Sequence, residues 1–292
     1  MITKKFPMDY LPYDYEGIEK ELAQKSSEGW QLVKAGANFW TFVKGECNEF
    51  QYNVTYIPDA SEYRAEDTEH QSTLDDYCAG AGWERVCNYK KIQIYRNRDP
   101  LAVPIDTDEE QRLQMIHQAV KKWLMYPAWL WIAFFCILIV CMIGKNDPMN
   151  FQVIRLLGFF IAAIVWKAVD VINYYLWHHE SRKSIAVTGK CCLAKRAERI
   201  QTINLFVFAV FDVWYVLFFD MKTTKDVFDL LLILMAVIFY PLHAAWIRKL
   251  CRYIGCPTAA NRVITFAGAV VLSVICSAWI NAMLVARGFL GF

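Results

Sequence analysis

The sequence predicts an α+β cytoplasmic head followed by an all-α transmembrane bundle of about five helices, and three observations lead there. Five stretches in the second half are long and apolar enough to cross a bilayer: Tyr126 to Gly144, Val153 to Trp177, Ile203 to Phe219, Val227 to Ile247 and Val263 to Ala286. A spanning helix needs about 20 predominantly apolar residues, and the first part of the chain has no such run. The chain is 56% hydrophobic yet 21% charged, with most charges before Tyr126 or between the spans. Finally, the head contains one pattern twice. These divide the chain into a head (1–98), a linker with an amphipathic helix (99–125) and a membrane domain (126–292).

The first copy opens on a weak strand, Ile2 to Met8. Glu16 to Glu28 reads as a helix, with Ile18 and Leu22 on one face, and stops at Gly29. Trp30 to Val33 and Phe39 to Lys44 follow as strands around a turn at Gly36–Asn38. The second copy opens at Phe50, Tyr52, Val54 and Tyr56, which alternate with polar residues as in a half-buried strand. Its helix ends over Leu74 to Ala79, near Gly80 and Gly82. Trp83 to Val86 and Ile92 to Arg96 form its closing strands. Gly29-Trp30 matches Gly82-Trp83, Val33 matches Val86 and Phe42 matches Tyr95, all at one offset. The expected head is one antiparallel sheet with both helices on one face. Trp30 and Trp83 are expected as core anchors, because aromatics dominate small cores.

The segments E-G-W-Q-L-V from Glu28, F-W-T-F-V-K-G from Phe39, E-F-Q-Y-N-V from Glu49 and G-W-E-R-V with I-Q-I-Y resemble the Domain of Unknown Function 2812 family. The resemblance covers Lys4 to Asn97. It implies a bacterial, membrane-associated protein whose spans follow this domain. It implies no activity and transfers no functional residue.

Asp99-Pro100 and Pro104 end the head. Thr107 is the expected cap of a helix whose first turn carries Asp108, Glu109 and Glu110, where negative charge suits the helix dipole. Leu113, Ile116, Val120 and Trp123 recur on one face, opposite Gln111, Gln114 and Lys121. This amphipathic helix is expected either on the inner leaflet or packed under the bundle, and Pro127 is expected to bend it into the first span.

Cytoplasmic loops carry an excess of Lys and Arg. Arg182, Lys183, Lys190, Lys195, Arg196 and Arg199 follow the second span, and Arg248, Lys249, Arg252 and Arg262 follow the fourth. The expected location is the cell membrane, multi-pass, with the N-terminus cytoplasmic and the C-terminus outside. The opening MITKKFPMDY has no apolar run after its lysines, so no cleavable signal is expected. The ten cysteines are then expected to be reduced. Cys191, Cys192, Cys251 and Cys256, with His178–His179 nearby, raise the question of a metal. Neither spacing fits a zinc knuckle, and small apolar residues near the interface are the plainer reading.

Ionisable residues within spans point to function, because each costs roughly 2.5–3.5 kcal/mol at the bilayer centre. Lys167 and Asp170 share a face of the second span, and Asp212 lies in the third. The three form either an ion pair that fixes packing or a polar pocket for a small ligand, proton or ion, with Asn173, Asn204 and Asn281 available to both. Asp229, His243 and Arg248 are expected to snorkel, and the tryptophans and tyrosines at span ends form an interfacial belt.

A net charge of +2 argues against direct nucleic-acid binding. No GxGxxG, P-loop, GxSxG, HExxH or CxxC pair is present, so no cofactor or catalytic residue is assigned. The expected function is a membrane-anchored regulatory or sensory protein. Its head binds a cytoplasmic or membrane protein partner and its bundle senses a membrane component, with the lipid bilayer as its surroundings. One alternative is a small transporter or accessory using the intramembrane charges, which would call for a homodimer. The other is an integral-membrane enzyme.

Overall fold

The computed structural model describes residues 2–8, 10–36, 39–47, 49–61, 63, 67–145, 151–217, 239 and 242–286. The head is two copies of one unit. β1 (Thr3–Pro7), α1 (Tyr15–Ser27), β2 (Trp30–Lys34) and β3 (Phe39–Lys44) make the first. β4 (Gln51–Tyr56), α2 (Glu69–Gly80), β5 (Glu84–Tyr89) and β6 (Ile92–Asn97) make the second. In each unit the last strand lies between the other two, giving the antiparallel orders β1-β3-β2 and β4-β6-β5. Both units bulge at the same place, between Leu32 and Lys34 and between Arg85 and Cys87. The extra residues are Val33 and Val86, which the repeat aligns.

The expected single sheet is therefore two three-stranded sheets. β2 and β5 approach each other without joining into one ladder. Each of these strands carries a bulge against its own partner, β3 or β6, which raises its local twist.

Helix ends follow local chemistry. The Asp14 carboxylate accepts from the Gly17 N–H at 3.2 Å, and the Thr68 hydroxyl accepts from the Gln71 N–H at 3.2 Å. After each helix comes a glycine in the left-handed region, Gly29 at φ +80° and Gly82 at φ +79°, where a side chain would be strained. The fully buried Ile18 and Leu22 of α1 share the main core with Phe42, Val54 and Ile94.

The linker leads to α3 (Glu109–Val120), a wide π turn (Lys121–Met125), α4 (Tyr126–Lys145), α5 (Phe151–Thr188) and α6 (Lys195–Leu217). The cap of α3 is Asp108 rather than Thr107: its carboxylate accepts from the Glu110 and Gln111 N–H groups at 2.9 and 3.1 Å. The wide turn sits just before Pro127, whose ring would collide with the carbonyl of Trp123 in a regular helix. Leu113, Ile116, Ala119 and Val120 are buried against the head and α5, so α3 is a packed element.

Met1–Ala60 and Thr68–Tyr215 form one compact unit. Ser61–Asp67 and Val216–Phe292 form another. In the latter, helical residues 242–253 and α7 (Thr258–Ala286) pack through Ile247, Cys251 and Ala269. Asn261 Nδ2 there donates to the Tyr63 carbonyl at 2.8 Å, and the Arg248 and Arg262 guanidinium groups lie 5.6 and 5.7 Å from the Tyr63 ring.

Among the described residues, three helical stretches are long and apolar enough to cross a membrane: Glu109–Cys141, Leu157–Thr188 and Thr258–Ile280. On α4, Leu130, Ile137 and Val140 point outward, an exposure that a lipid environment would satisfy. The expected third span ends, and the fourth begins, outside the described residues.

Candidate functional site

The head and the helices after it share one core. Tyr13, fully buried in the turn before α1, meets Tyr174 edge-on at 5.2 Å and lies tilted on Trp177 at 4.5 Å. The Trp177 indole N–H donates to the Cys192 carbonyl at 3.0 Å, which holds the loop after α5 against that helix. One carboxylate gathers three segments: Glu109 Oε2 accepts from the Tyr15 hydroxyl at 2.9 Å and from the Cys191 N–H at 3.3 Å. Glu109 Oε1 accepts from Arg112 at 2.6 Å. Arg112 is buried, also donates to the Asp106 carbonyl at 2.7 Å, and lies over the Tyr15 ring at 4.6 Å. His117 Nδ1 lies 3.0 Å from the Tyr174 hydroxyl, and its ring centroid is 4.7 Å from that of His178.

The electrostatics of this joint are those of a buried charge cluster. Glu19 Oε1 accepts from the Val54 N–H at 2.8 Å. Burial pushes its pKa up to about 7, against the opposing pull of that hydrogen bond and of Arg112. Burial likewise raises Asp106, while Arg112 draws it back. Burial also pushes the Cys191 thiol up to about 12, so it is protonated and inert at neutral pH. The Tyr56 hydroxyl is buried in this region and finds no hydrogen-bond partner among the described residues.

The intramembrane residues singled out in the sequence come together only in part. Lys167 Nζ lies 3.4 Å from Asp170 Oδ2 and 3.6 Å from the Trp166 ring centroid. Asp170 is 8% exposed, and its Oδ1 accepts from Asn204 Nδ2 at 3.1 Å. Asn204 Nδ2 also reaches the Trp166 carbonyl at 3.1 Å, and Asn173 Nδ2 donates to the Ala197 carbonyl at 2.8 Å. These contacts tie α5 to α6. The side chains of Asp212 and Asn281, and the whole of Asp229, lie outside the described residues.

Trp83 is buried with Cys78 and Tyr95, and its indole N–H donates to the Val103 carbonyl at 3.1 Å. Trp30 is only half-buried: Phe6 meets it edge-on at 5.3 Å, and Lys44 lies 5.0 Å from its ring. All ten cysteines are free thiols. Among the described residues no group of three or more His, Cys, Asp or Glu side chains is arranged to hold a metal.

Residues 14–128 match the DUF2812 family, proteins of unknown function. The DUF2812 segment thus extends past the head, through α3 and into the first turn of α4, where the resemblance read from the motifs stopped at Asn97. Its first residue is the cap of α1. It also includes Tyr15, Asp106, Glu109 and Arg112, whereas Tyr13, Tyr174, Trp177 and Cys191 lie outside it. No curated protein and no solved structure matches the chain.

Sequence reasoning missed the joint itself. Tyr174 and Trp177 were assigned to the interfacial belt, and Glu109 to the helix dipole. The available signal was the aromatic run Asp9 to Tyr15, with three tyrosines in seven residues just before a helix.

Proposed function

We propose that this is a membrane-anchored regulatory or sensory protein, in which the DUF2812 segment binds a protein partner and the apolar helices register a membrane component. The observation that carries this reading is the core shared by the head, α3, α5 and α6, centred on Tyr13 and Trp177. A head on a flexible stalk would need no such joint. A head that must follow movement of the helices would need it. The proposed topology has five crossings, with the N-terminus cytoplasmic and the C-terminus outside, as the basic loops favour. The resemblance of the head to a family with bacterial members supports a bacterial cell membrane as its location.

The test is affinity purification of the full chain from native membranes, with mass spectrometry of co-purifying proteins, beside Trp177→Ala carried in the same host. The expected result is a partner recovered with the native chain and reduced with the variant at equal membrane abundance. Recovery of the same proteins by an unrelated multi-pass protein would overturn the reading.

A further inference from the structure

A second arrangement, confined to the C-terminal helices, has the order of an activated nucleophile. Helical residues 242–253 and α7 pack closely where Ile247 meets Gly268 and Ala269. One turn away on each helix, that packing brings His243 opposite Ser273 and Cys276. His243 Nδ1 lies 3.1 Å from Ser273 Oγ, and Cys276 Sγ lies 3.8 Å from His243 Nε2.

The hydrogen bonds fix the direction of this chain. Ser273 has one hydroxyl proton, and it goes to the Ala269 carbonyl at 2.6 Å. Toward His243 the serine oxygen can therefore only accept, so Nδ1 carries the imidazole proton. Nε2 is left with its lone pair facing the Cys276 thiol. A nucleophile, a base and a group that orients the base are the parts by which enzymes activate a thiol.

The surroundings restrict what such a thiol can attack. Cys276 is half-buried in a stretch long and apolar enough to span a membrane, with Ile275 and Trp279 exposed beside it. A reactant must therefore be apolar. Acyl transfer would need donors for a tetrahedral oxyanion. The α7 backbone N–H groups are used within the helix, and the Ser273 and Ser277 hydroxyls donate to the Ala269 and Ser273 carbonyls. Addition to an electron-poor alkene asks less of such donors, because the enolate it forms spreads its charge onto the α-carbon and is quenched there by the proton that the base has just taken.

We propose that Cys276, activated by His243 and positioned with the help of Ser273, captures an apolar α,β-unsaturated carbonyl compound from the lipid phase by conjugate addition. The thiol proton passes to His243 Nε2, and the sulfur forms a bond to the β-carbon. The alkene π pair shifts to the bond between the α-carbon and the carbonyl carbon, the carbonyl π pair moves onto oxygen to give an enolate, and as that collapses His243 returns the proton to the α-carbon. One S–C and one C–H bond form, one S–H and one C=C π bond are lost, and no further reactant is consumed. The site stands whatever the head binds.

The test uses the full chain in phospholipid nanodiscs exposed to the unsaturated aldehyde nonenal. Borohydride then stabilises the adducts, and peptide mass spectrometry follows each cysteine in time. Cys136 and Cys141 on α4 are exposed thiols, and neither bonds a histidine among the described residues, so they report intrinsic reactivity in the same molecule. Cys276 is expected to react at least about 10-fold faster than either, since a positioned base contributes typically 10²–10⁴-fold. His243→Gln should bring Cys276 down to their rate while leaving theirs unchanged. Ser273→Ala, which removes only a hydroxyl, should slow Cys276 several-fold. Equal rates at the three cysteines would overturn the proposal, as would a Cys276 rate indifferent to both substitutions. A fall at all three cysteines in His243→Gln would reflect misfolding, and Ser273→Ala then decides.

Discussion

Tyr15 and Glu109 lie 94 positions apart and share a 2.9 Å hydrogen bond. The tyrosine opens the first helix of the head, the glutamate opens the helix that leads into the membrane, and the same carboxylate holds the loop after α5 through Cys191. Tyr15→Phe removes one donor from a carboxylate still held by Arg112, so a loss of about 1–2 kcal/mol is expected. Trp177→Ala removes an aromatic from the shared core and should cost about 3–5 kcal/mol. Thermal unfolding of the solubilised chain measures both. Limited proteolysis of the linker at Asp99–Pro104 should accelerate in Trp177→Ala if the joint holds that segment down.

Glu19 should make stability depend on pH in an uncommon direction. Its folded pKa, about 7, lies above the ordinary 4.5, so between those values the folded state binds more protons than the unfolded one. Its contribution is therefore most favourable below about pH 4.5 and declines as pH rises to about 7, by on the order of 3 kcal/mol. Glu19→Gln keeps an acceptor for the Val54 N–H and should flatten this component, making the variant the more stable chain at pH 8. A native-minus-variant difference that does not change across this window would refute the assignment.

Lys167 and Asp170 should behave as a coupled pair. Asp170→Ala leaves Lys167 without its carboxylate and Asn204 with the Trp166 carbonyl alone, whereas Lys167→Ala leaves Asp170 still bonded to Asn204. The aspartate substitution is expected to cost more, and the double substitution less than the sum of the two, with a coupling of about 0.5–3 kcal/mol. Unfolding of the four chains of this cycle in nanodiscs gives the value. Strict additivity would argue against the pairing.

Gly82 and Gly80 provide a paired test of backbone strain. Gly82→Ala places a Cβ at φ +79° and 3.3 Å from the Asn97 amide nitrogen, and should cost about 1–2 kcal/mol. Gly80 lies in α2 with open space around it, so Gly80→Ala should stabilise by about 0.4–1 kcal/mol. Denaturant midpoints of the two variants should move in opposite directions.

The repeat, the order of all head elements and the amphipathic face of α3 were legible in the chain, because each is written in local spacing. Phe39–Lys44 falls where the pattern placed it, and Gly29 and Gly82 end their helices as expected. Local spacing says nothing of which partner a face meets. The pattern that identified two sheet-forming units gave no sign that they would form separate sheets. His243 read as a residue at a span end because its partners, Ser273 and Cys276, lie 30 and 33 positions away.

Composition and periodicity were enough for the tandem head and the apolar stretches, since both follow from neighbours in the chain. Tertiary packing alone brings Tyr13 onto Trp177, gathers three segments at Glu109, and sets a histidine between a serine and a thiol. Those are contacts between distant positions, selected by packing and by the need to satisfy buried polar groups, and no local pattern encodes them.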